Sequence, residues 1–347
     1  MKKLYPLIFC VLVLSLVLGN LDFGGFAQAA NPTSKPLTKI RISGGRVGDP
    51  WYVLSEALAY FINKNSEWLR ATVVATPGIT GNIELAMRSP NEYIYIADTL
   101  NFIHMQKDPY GKKYNYYNKS RFISNQCSLT FTWVTFDKNI KTGKDLVGKT
   151  VGIKRKAAPY YGEVGVLKHW GVEDKVKLVQ SGFGEAVRNL KDGLIDVAHM
   201  TFDHIYPAGF SKGVFITDLE TKGPIYYIST EPEIITSLYK EGVVADIKIR
   251  IPPGMLDRKT QPNEVWCYSA AIFLGADERM DPDIVHEVTR VIWESAGKWD
   301  TWHAQGKHMT KDFIPASPID LQFVHPGAKK FYEEHGVKVR KLGDLLP

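Results

Sequence analysis

Basic side chains that could bind an anion occur at two places in the sequence. Arg46 lies in a glycine-rich segment, and its planar guanidinium matches the two oxygens of a carboxylate. Lys154 and Arg155 follow one predicted strand, and Tyr160 and Tyr161 precede the next predicted helix. Donors placed between a strand and a helix suit an anion site. A surface arginine and a solvated basic loop are the alternatives for these two segments.

Four polar residues lie where predicted strands end or predicted helices begin. Thr80 and Asn82 are at a helix start, where such residues cap backbone N–H groups or contact a ligand. Asp98 ends a predicted strand, so it caps the following helix or accepts a hydrogen bond from an amine of a ligand. Asp203 follows a later strand and is a candidate of the same kind.

Two aromatic residues are candidates for stacking against a ligand. Tyr52 begins the first predicted helix beside Trp51, and Trp51 is also in phase with the apolar face of that helix. Trp133 lies on a predicted strand, where a core position and a cleft position are both compatible with the pattern.

The remaining reactive residue types form no recognisable catalytic, metal or cofactor motif. His199 with His204, and His303 with His308, are five residues apart, which does not align two ligands on one helical face. The glycines at positions 44, 45 and 48 do not match the dinucleotide fingerprint. We therefore assign no catalytic residue, no metal ligand and no cofactor. Whether Cys127 and Cys267 pair in a disulfide stays open.

Composition indicates an ordinary globular protein. The chain has 347 residues, 44% of them hydrophobic, and 43 Lys and Arg against 37 Asp and Glu give a net charge of +6. This length predicts about two domains. The charge surplus is too dilute to indicate a nucleic-acid partner.

The N-terminus has the pattern of a secretory signal peptide. Lys2 and Lys3 precede an apolar run over residues 7–18, and Ala27-Gln28-Ala29 follows. The run is too short to span a bilayer as a helix. Cys10 lies inside the run and so cannot carry a lipid at a mature N-terminus. We expect residues 1–29 to be removed near Ala29, leaving a soluble periplasmic protein.

Strands and helices alternate along the rest of the chain. Strands are predicted at 39–42, 71–75, 93–97, within 145–153, at 176–179 and within 193–199. Helices begin near residues 51, 82, 162 and 183, and two more are predicted over 283–303 and 327–335. Residues 121–136 and 265–274 are rich in β-formers and suit strands that cross between lobes. We predict an α/β, bilobal fold of the type II periplasmic-binding-protein kind, with parallel sheets and a ligand cleft between the lobes. Lobe 1 comprises residues 30–135 plus 270–347, and lobe 2 comprises residues 136–269.

An ordered set of motifs resembles the TAXI family of solute receptors, which serve TRAP transporters. The matching segments are Ser43-Gly44-Gly45 to Tyr52, Thr76-x-Gly78 to Asn82, Asp145-Leu-Val-Gly-Lys-Thr-Val-Gly152, Gly193-Leu-Ile-Asp196, and His325-Pro326-Gly327-Ala328 before Phe331-Tyr332-Glu333-Glu334. The resemblance implies an extracytoplasmic receptor, not an enzyme, that closes on a small carboxylated solute. It implies delivery of this anionic solute to TRAP membrane subunits, in a fused permease, for uptake driven by an ion gradient.

The sequence departs from the family in the two loops where that solute would bind. Arg46, Asp49 and Pro50 interrupt the first loop, and residues 154–161 replace a loop of small residues in the second lobe. The identity of the solute is therefore not carried over. Two other functions fit the same fold: a receptor of an ATP-driven importer, and a periplasmic dehydratase that uses a carboxylate such as Asp98, Glu163 or Asp203.

Overall fold

The computed structural model describes residues 35–107, 118–155, 158–205 and 209–345, without the side chains of 203–205 and 211. The predicted signal peptide and its cleavage site lie outside these residues. The strands are β1 Thr38–Gly45, β2 Leu69–Ala75, β3 Tyr93–Asp98, β4 Ser120–Thr135, β5 Thr150–Lys154, β6 Lys177–Ser181, β7 Val197–Ile205, β8 Gly209–Ser211, β9 Tyr226–Ile228, β10 Lys248–Ile251, β11 Val265–Asp277, β12 Ala316–Ser317 and β13 Arg340–Lys341. The helices are α1 Pro50–Asn65, α2 Ile79–Arg88, α3 Thr99–Lys107, α4 Ala158–His169, α5 Phe183–Lys191, α6 Gly213–Glu220, α7 Pro232–Lys240, α8 Pro282–Glu294 and α9 Pro326–Glu334.

One mixed sheet with the strand order β2-β1-β3-β11-β4-β7-β5-β6 organises the fold. Its outer parts are parallel, because β1 pairs with β2 and β3, and β5 pairs with β6 and β7, in that sense. The predicted α/β class is thus confirmed. The central pairings β3–β11, β11–β4 and β4–β7 are antiparallel, so the predicted parallel pairing holds only in the outer parts.

The strands β4 and β11 are the long central elements. Within residues 121–136 the sequence predicts two β-rich stretches, 122–123 and 129–136, but the structure has a single strand of 16 residues there. Nearly every residue of β4 and β11 is buried. A strand covered on both faces loses the period-two pattern, which explains why its middle was missed.

Helices cover both outer parts of the sheet and enclose three apolar clusters. One cluster contains β1, β3 and the helices α1, α8 and α9. A second packs α5, α6 and β10 around β7, and a third packs α4 and α7 against Trp133 of β4. No helix within the described residues is long and apolar enough to span a membrane.

Three predicted helix boundaries are wrong. The second helix begins at Ile79, three residues before the predicted start, and α4 begins at Ala158 instead of near residue 162. The helix predicted to run to residue 303 ends at Glu294. The N-cap residue of α2 is Gly78, which has no side chain that could cap the helix, so the usual start signal is missing there.

Cys127 and Cys267 are separate buried thiols. Cys127 is on β4 and Cys267 is on β11, but they occupy different positions along this pair of strands. Burial raises the pKa of the Cys267 thiol to about 12. The possibility of a disulfide between them is therefore not realised in this structure.

The glycine of the His-Pro-Gly-Ala motif allows α9 to pack closely on α8. The side chain of His325 caps α9 by accepting a hydrogen bond from the Gly327 N–H. A Cβ atom placed on Gly327 would lie only 2.1 Å from the carbonyl oxygen of Pro282. That separation is far below a normal contact, and the partner is backbone, which cannot rotate away.

We expect Gly327→Ala to lower the free energy of unfolding by about 1–3 kcal/mol, the usual cost of overpacking. Gly223→Ala is the matched control, because a Cβ there meets no heavy atom within 4 Å. Urea denaturation of both variants measures the difference. Equal stability of the two variants would show that α8 and α9 separate at no cost.

Candidate ligand-binding cleft

The starts of five helices meet at one cleft with a volume of about 440 Å³. The helices are α1, α2, α3, α4 and α5, and each contributes residues from its first turn or its N-cap. The residues that line the cleft are Arg46, Asp49, Trp51, Pro77, Gly78, Ile79, Thr80, Gly81, Glu84, Asp98, Leu100, Asn101, Leu129, Phe131, Ala158, Pro159, Phe183, Ala270 and Ile272. Backbone N–H groups at helix starts carry a partial positive charge, so this arrangement favours an anion.

The two central strands form the apolar floor of the cleft. Leu129 and Phe131 of β4 lie two residues apart, and so do Ala270 and Ile272 of β11. Residues two apart on a strand point to the same face of the sheet. The register pairs Ala270 with Leu129, which brings both sets together at the same edge.

Three of the helix starts that face the cleft have no side-chain cap. The N-cap residues Asp49 of α1, Gly78 of α2 and Gly182 of α5 make no capping hydrogen bond. Gly78 has a φ of 131°, a conformation that glycine adopts without strain. A ligand can therefore use N–H groups that a capping side chain would otherwise occupy.

Asp98 lines the cleft, but it also caps α3. Its carboxylate accepts hydrogen bonds from the backbone N–H of Asn101 at 2.6 Å and from the Asn101 side chain at 2.9 Å. Burial raises the pKa of the Asp98 carboxyl, while these hydrogen bonds act in the opposite direction. Both roles anticipated from the sequence are thus available to Asp98.

Arg46, Thr80 and Asp98 are the predicted site residues that line the cleft. Tyr52 does not line it, and its neighbour Trp51 takes that position. Asn82 is fully buried and holds α2 to β3, because its side-chain amide donates to the carbonyl oxygen of Ile96 at 3.0 Å.

Trp133 is fully buried in the core under α4. Its ring packs 4.5 Å from the ring of His199 and 5.5 Å from that of Trp170. Trp133 is on the same face of β4 as Phe131, but two residues further along the strand, beyond the floor of the cleft.

The residues predicted to form an anion-binding loop after β5 lie in different environments in the structure. Lys154 is the last residue of β5 and is only 5% exposed, whereas Arg155 is exposed and pairs with Glu185 at 2.6 Å. Tyr160 and Tyr161 lie in the first turn of α4, since this helix begins earlier than predicted, and their rings contact each other. None of these four residues lines the cleft.

Asp203 forms backbone pairs with Leu129 of β4 and Ser211 of β8. Its side chain lies outside the described residues, so its predicted role stays a prediction.

Sequence reasoning missed two aromatic residues that line the cleft, Phe131 in the floor and Phe183 in one wall. Phe183 is the first residue of α5 and follows β6 after a single glycine. The strand-to-helix position was a usable signal for Phe183. Phe131 is one of many apolar residues in a buried strand, and no pattern marks it out.

The charged side chains around the cleft are mostly acidic. Asp49, Glu84 and Asp98 line it together with one basic residue, Arg46. Attraction of an anion by this part of the cleft therefore depends on Arg46 and on the helix starts.

A buried polar network lies beneath the α4 and α5 side of the cleft. One carboxylate oxygen of Glu163 accepts the Lys154 backbone N–H at 2.6 Å, and the other lies 2.7 Å from Nδ1 of His199. Burial lowers the pKa of the His199 imidazole, although Glu163 counteracts this. The hydroxyl of Tyr268 lies 3.4 Å from Nε2 of His199. Glu163 is fully buried and engaged, which argues against its use as a catalytic acid or base in the cleft.

A family model described as NMT1-like matches residues 42–336, a range that includes all three uncapped helix starts of the cleft and the His-Pro-Gly-Ala segment. The chain is a member of the NMT1-like family.

Solved structures similar to this NMT1-like chain include two solute-binding proteins and a protein bound to chloride ion. A TctC solute-binding protein from Polaromonas has 15% identity and a TM-score of 0.47, over 81% of this chain and 90% of that one. The aliphatic sulphonate binding protein SsuA from Escherichia coli has 13% identity and a TM-score of 0.44, over 89% and 92%. A Xanthomonas citri protein bound to chloride ion has 10% identity and a TM-score of 0.47, over 85% and 99%.

Burial of Lys154 creates a stability cost that depends on pH. Desolvation lowers the pKa of the Lys154 ammonium from 10.5 to about 8, despite the charge of Glu163. The folded protein therefore binds fewer protons than the unfolded chain between about pH 8 and pH 10.5. The cost is fully present below pH 8 and disappears as the pH rises through this interval.

We expect Lys154→Met to raise the free energy of unfolding of this NMT1-like protein at pH 7 by up to about 3 kcal/mol. The gain should shrink towards pH 10. Urea denaturation at both pH values measures it, and Lys177→Met, at an exposed lysine of β6, is the matched control. A gain that does not change with pH would mean that the charge of Lys154 is not its source.

Proposed function

We propose that this protein is an extracytoplasmic receptor that captures a small carboxylated solute, an organic acid or an amino acid, and delivers it to TRAP membrane subunits. The observation that carries this proposal is the meeting of five helix starts, three of them without side-chain caps, at one cleft. Uncapped N–H groups at helix starts are a general means of holding carboxylates.

The cleft also fits a solute with an apolar part. Leu129, Phe131, Ala270 and Ile272 form its floor, and Phe183 forms one wall. The volume of about 440 Å³ is in the range of small-molecule sites. Glu84 and Asp49 are placed to accept hydrogen bonds from an amine or hydroxyl of the same solute.

Closure of two lobes is the proposed mechanism of capture. The lobes are residues 30–135 plus 270–347 and residues 136–269, with β4 and β11 crossing between them. The first three helices contribute one side of the cleft and α4 and α5 contribute the other. A solute that contacts both sides favours the closed state by its differential affinity for that state.

Delivery to a TRAP permease is supported by the TAXI motifs, and a periplasmic location is supported by the signal-peptide pattern of residues 1–29. Uptake by vesicles that contain the fused permease, with an ion gradient and without ATP, tests the proposed partner. Uptake that requires ATP would instead assign the receptor to an ATP-driven importer.

We expect a carboxylated solute to raise the melting temperature in a thermal-shift screen of mono- and dicarboxylates, keto acids, amino acids and aromatic acids. Arg46→Ala should weaken binding of the solute by about 10-fold or more, since a charged hydrogen bond contributes about 1.5–3 kcal/mol. Arg88→Ala, at the exposed end of α2, is the matched control and should bind normally. Calorimetric titration measures both. If only uncharged or cationic solutes bind, the proposed ligand class is wrong.

We expect the solute identified in that screen to reduce the radius of gyration in small-angle X-ray scattering, because closure brings the two sides of the cleft together. An unchanged scattering profile at saturation would contradict closure but not binding.

A further inference from the structure

Two buried polar side chains lie next to each other at the ends of β5 and β6 without a hydrogen-bond partner. The parallel register of these strands pairs Lys154 with Ser181. Lys154 is 5% exposed and Ser181 is 1% exposed. Neither Nζ of Lys154 nor Oγ of Ser181 has a hydrogen-bond partner among the described residues. A buried donor left unsatisfied costs about 1–3 kcal/mol, so two neighbouring ones indicate that a partner is missing.

The groups packed around Lys154 do not supply that partner. The charge of Glu163 on α4 acts on the Lys154 ammonium, but both carboxylate oxygens of Glu163 already accept short hydrogen bonds. No ion pair with the Lys154 ammonium is present in the described part of the chain. His199 on β7 supplies no negative charge, and burial lowers the pKa of its imidazole. The adjacent Arg155 points to Glu185. The ammonium instead lies 3.8 Å from the centre of the Phe183 ring on α5.

A single aromatic ring separates this pair from the cleft. Phe183 lines the cleft and contacts the Lys154 ammonium, so it lies between the two. It is also the first residue of α5, a nine-residue helix whose N-cap, Gly182, provides no side-chain cap. The N–H groups at the start of α5 therefore lie beside Lys154 and Ser181. A change of the Phe183 rotamer would open the cleft to three kinds of donor: the Lys154 ammonium, the Ser181 hydroxyl and the N–H groups at the start of α5.

We propose that Lys154, Ser181 and the start of α5 form an anion subsite that receives the carboxylate of the solute when the Phe183 ring moves aside. This inference rests on the proposed receptor function and specifies where the anionic group is held. An ammonium, a hydroxyl and backbone N–H groups together satisfy the oxygens of a carboxylate. Binding would complete the hydrogen bonds of both buried side chains and neutralise the buried charge.

The subsite makes the protonation of Lys154 depend on the solute. Desolvation holds the pKa of Lys154 at about 8 in the free protein. An anion in contact with the ammonium favours its charged form and so raises this pKa. Solute binding near pH 9 should consequently be accompanied by proton uptake.

The test follows the titration of Lys154 by NMR, using purified protein with lysine labelled with ¹³C at Cε. Its signal is assigned by its loss in Lys154→Met. Spectra are recorded from pH 6 to pH 11 without additive, with 20 mM succinate, with 20 mM benzoate, and with 20 mM inorganic phosphate. Melting temperatures of the same samples report whether each anion binds at all.

We expect a midpoint near pH 8 without additive and a rise of at least one pH unit with the carboxylate that stabilises the protein. Ser181→Ala should reduce the affinity for that carboxylate about 10-fold and leave the protein folded. Lys154→Met should reduce this affinity further, and the control Lys177→Met should leave it unchanged. A rise with phosphate alone supports the subsite but overturns the carboxylate class of the proposed function.

Two results would overturn the subsite. If a carboxylate raises the melting temperature but leaves the Lys154 midpoint unchanged, the solute binds elsewhere in the cleft and the receptor function stands. If none of the three anions binds, the subsite is wrong together with the carboxylate class of the proposed solute. If Lys154→Met fails to fold, loss of the signal in Lys154→Arg assigns it instead. Ser181→Ala and the melting temperatures do not depend on either variant, so the proposal remains falsifiable.

Discussion

The antiparallel pairing of β4 with β11 is the interaction on which the other parts of this structure depend. Each strand joins one outer part of the sheet to the other, and each supplies two residues to the cleft floor. Both strands are almost wholly buried, so their backbone groups must be satisfied by each other and by their neighbours. A register slip of one residue would turn Leu129 and Phe131 away from the cleft. The pairing therefore sets the position of the cleft floor, and in the proposed mechanism it is also the line about which the two sides of the cleft would move.

The order of helices and strands around the cleft was largely predictable, because strand-turn-helix units have strong local signals. The strand that ends at Asp98 and the helix that begins at Phe183 were both placed correctly. The starts of α2 and α4 were placed too late. Gly78 provides no side chain to mark the first of these boundaries, and the absence of such a cap is also what leaves N–H groups open to a ligand. The same feature that suits the site to an anion made its boundary hard to predict.

The depth of a side chain beneath the surface was not predictable from its place in the sequence. Lys154 and Arg155 are neighbours of the same charge, yet one ends a buried strand and the other lies on the surface paired with Glu185. Trp133 and Phe131 are on the same face of β4, and only Phe131 reaches the cleft. These outcomes depend on which helix crosses above each residue, and that is decided by tertiary packing between segments far apart in the chain.

The central position of β11 has a consequence for the order in which the chain can fold. This strand lies between β3 and β4, although it follows them by more than a hundred residues. A chain that has been synthesised only as far as residue 264 lacks the strand that joins β3 to β4, so its first apolar cluster stays open. Contacts between such distant segments form slowly. The protein is consequently expected to remain without its final sheet until most of its length has left the ribosome, a kinetic state compatible with transport across a membrane in unfolded form.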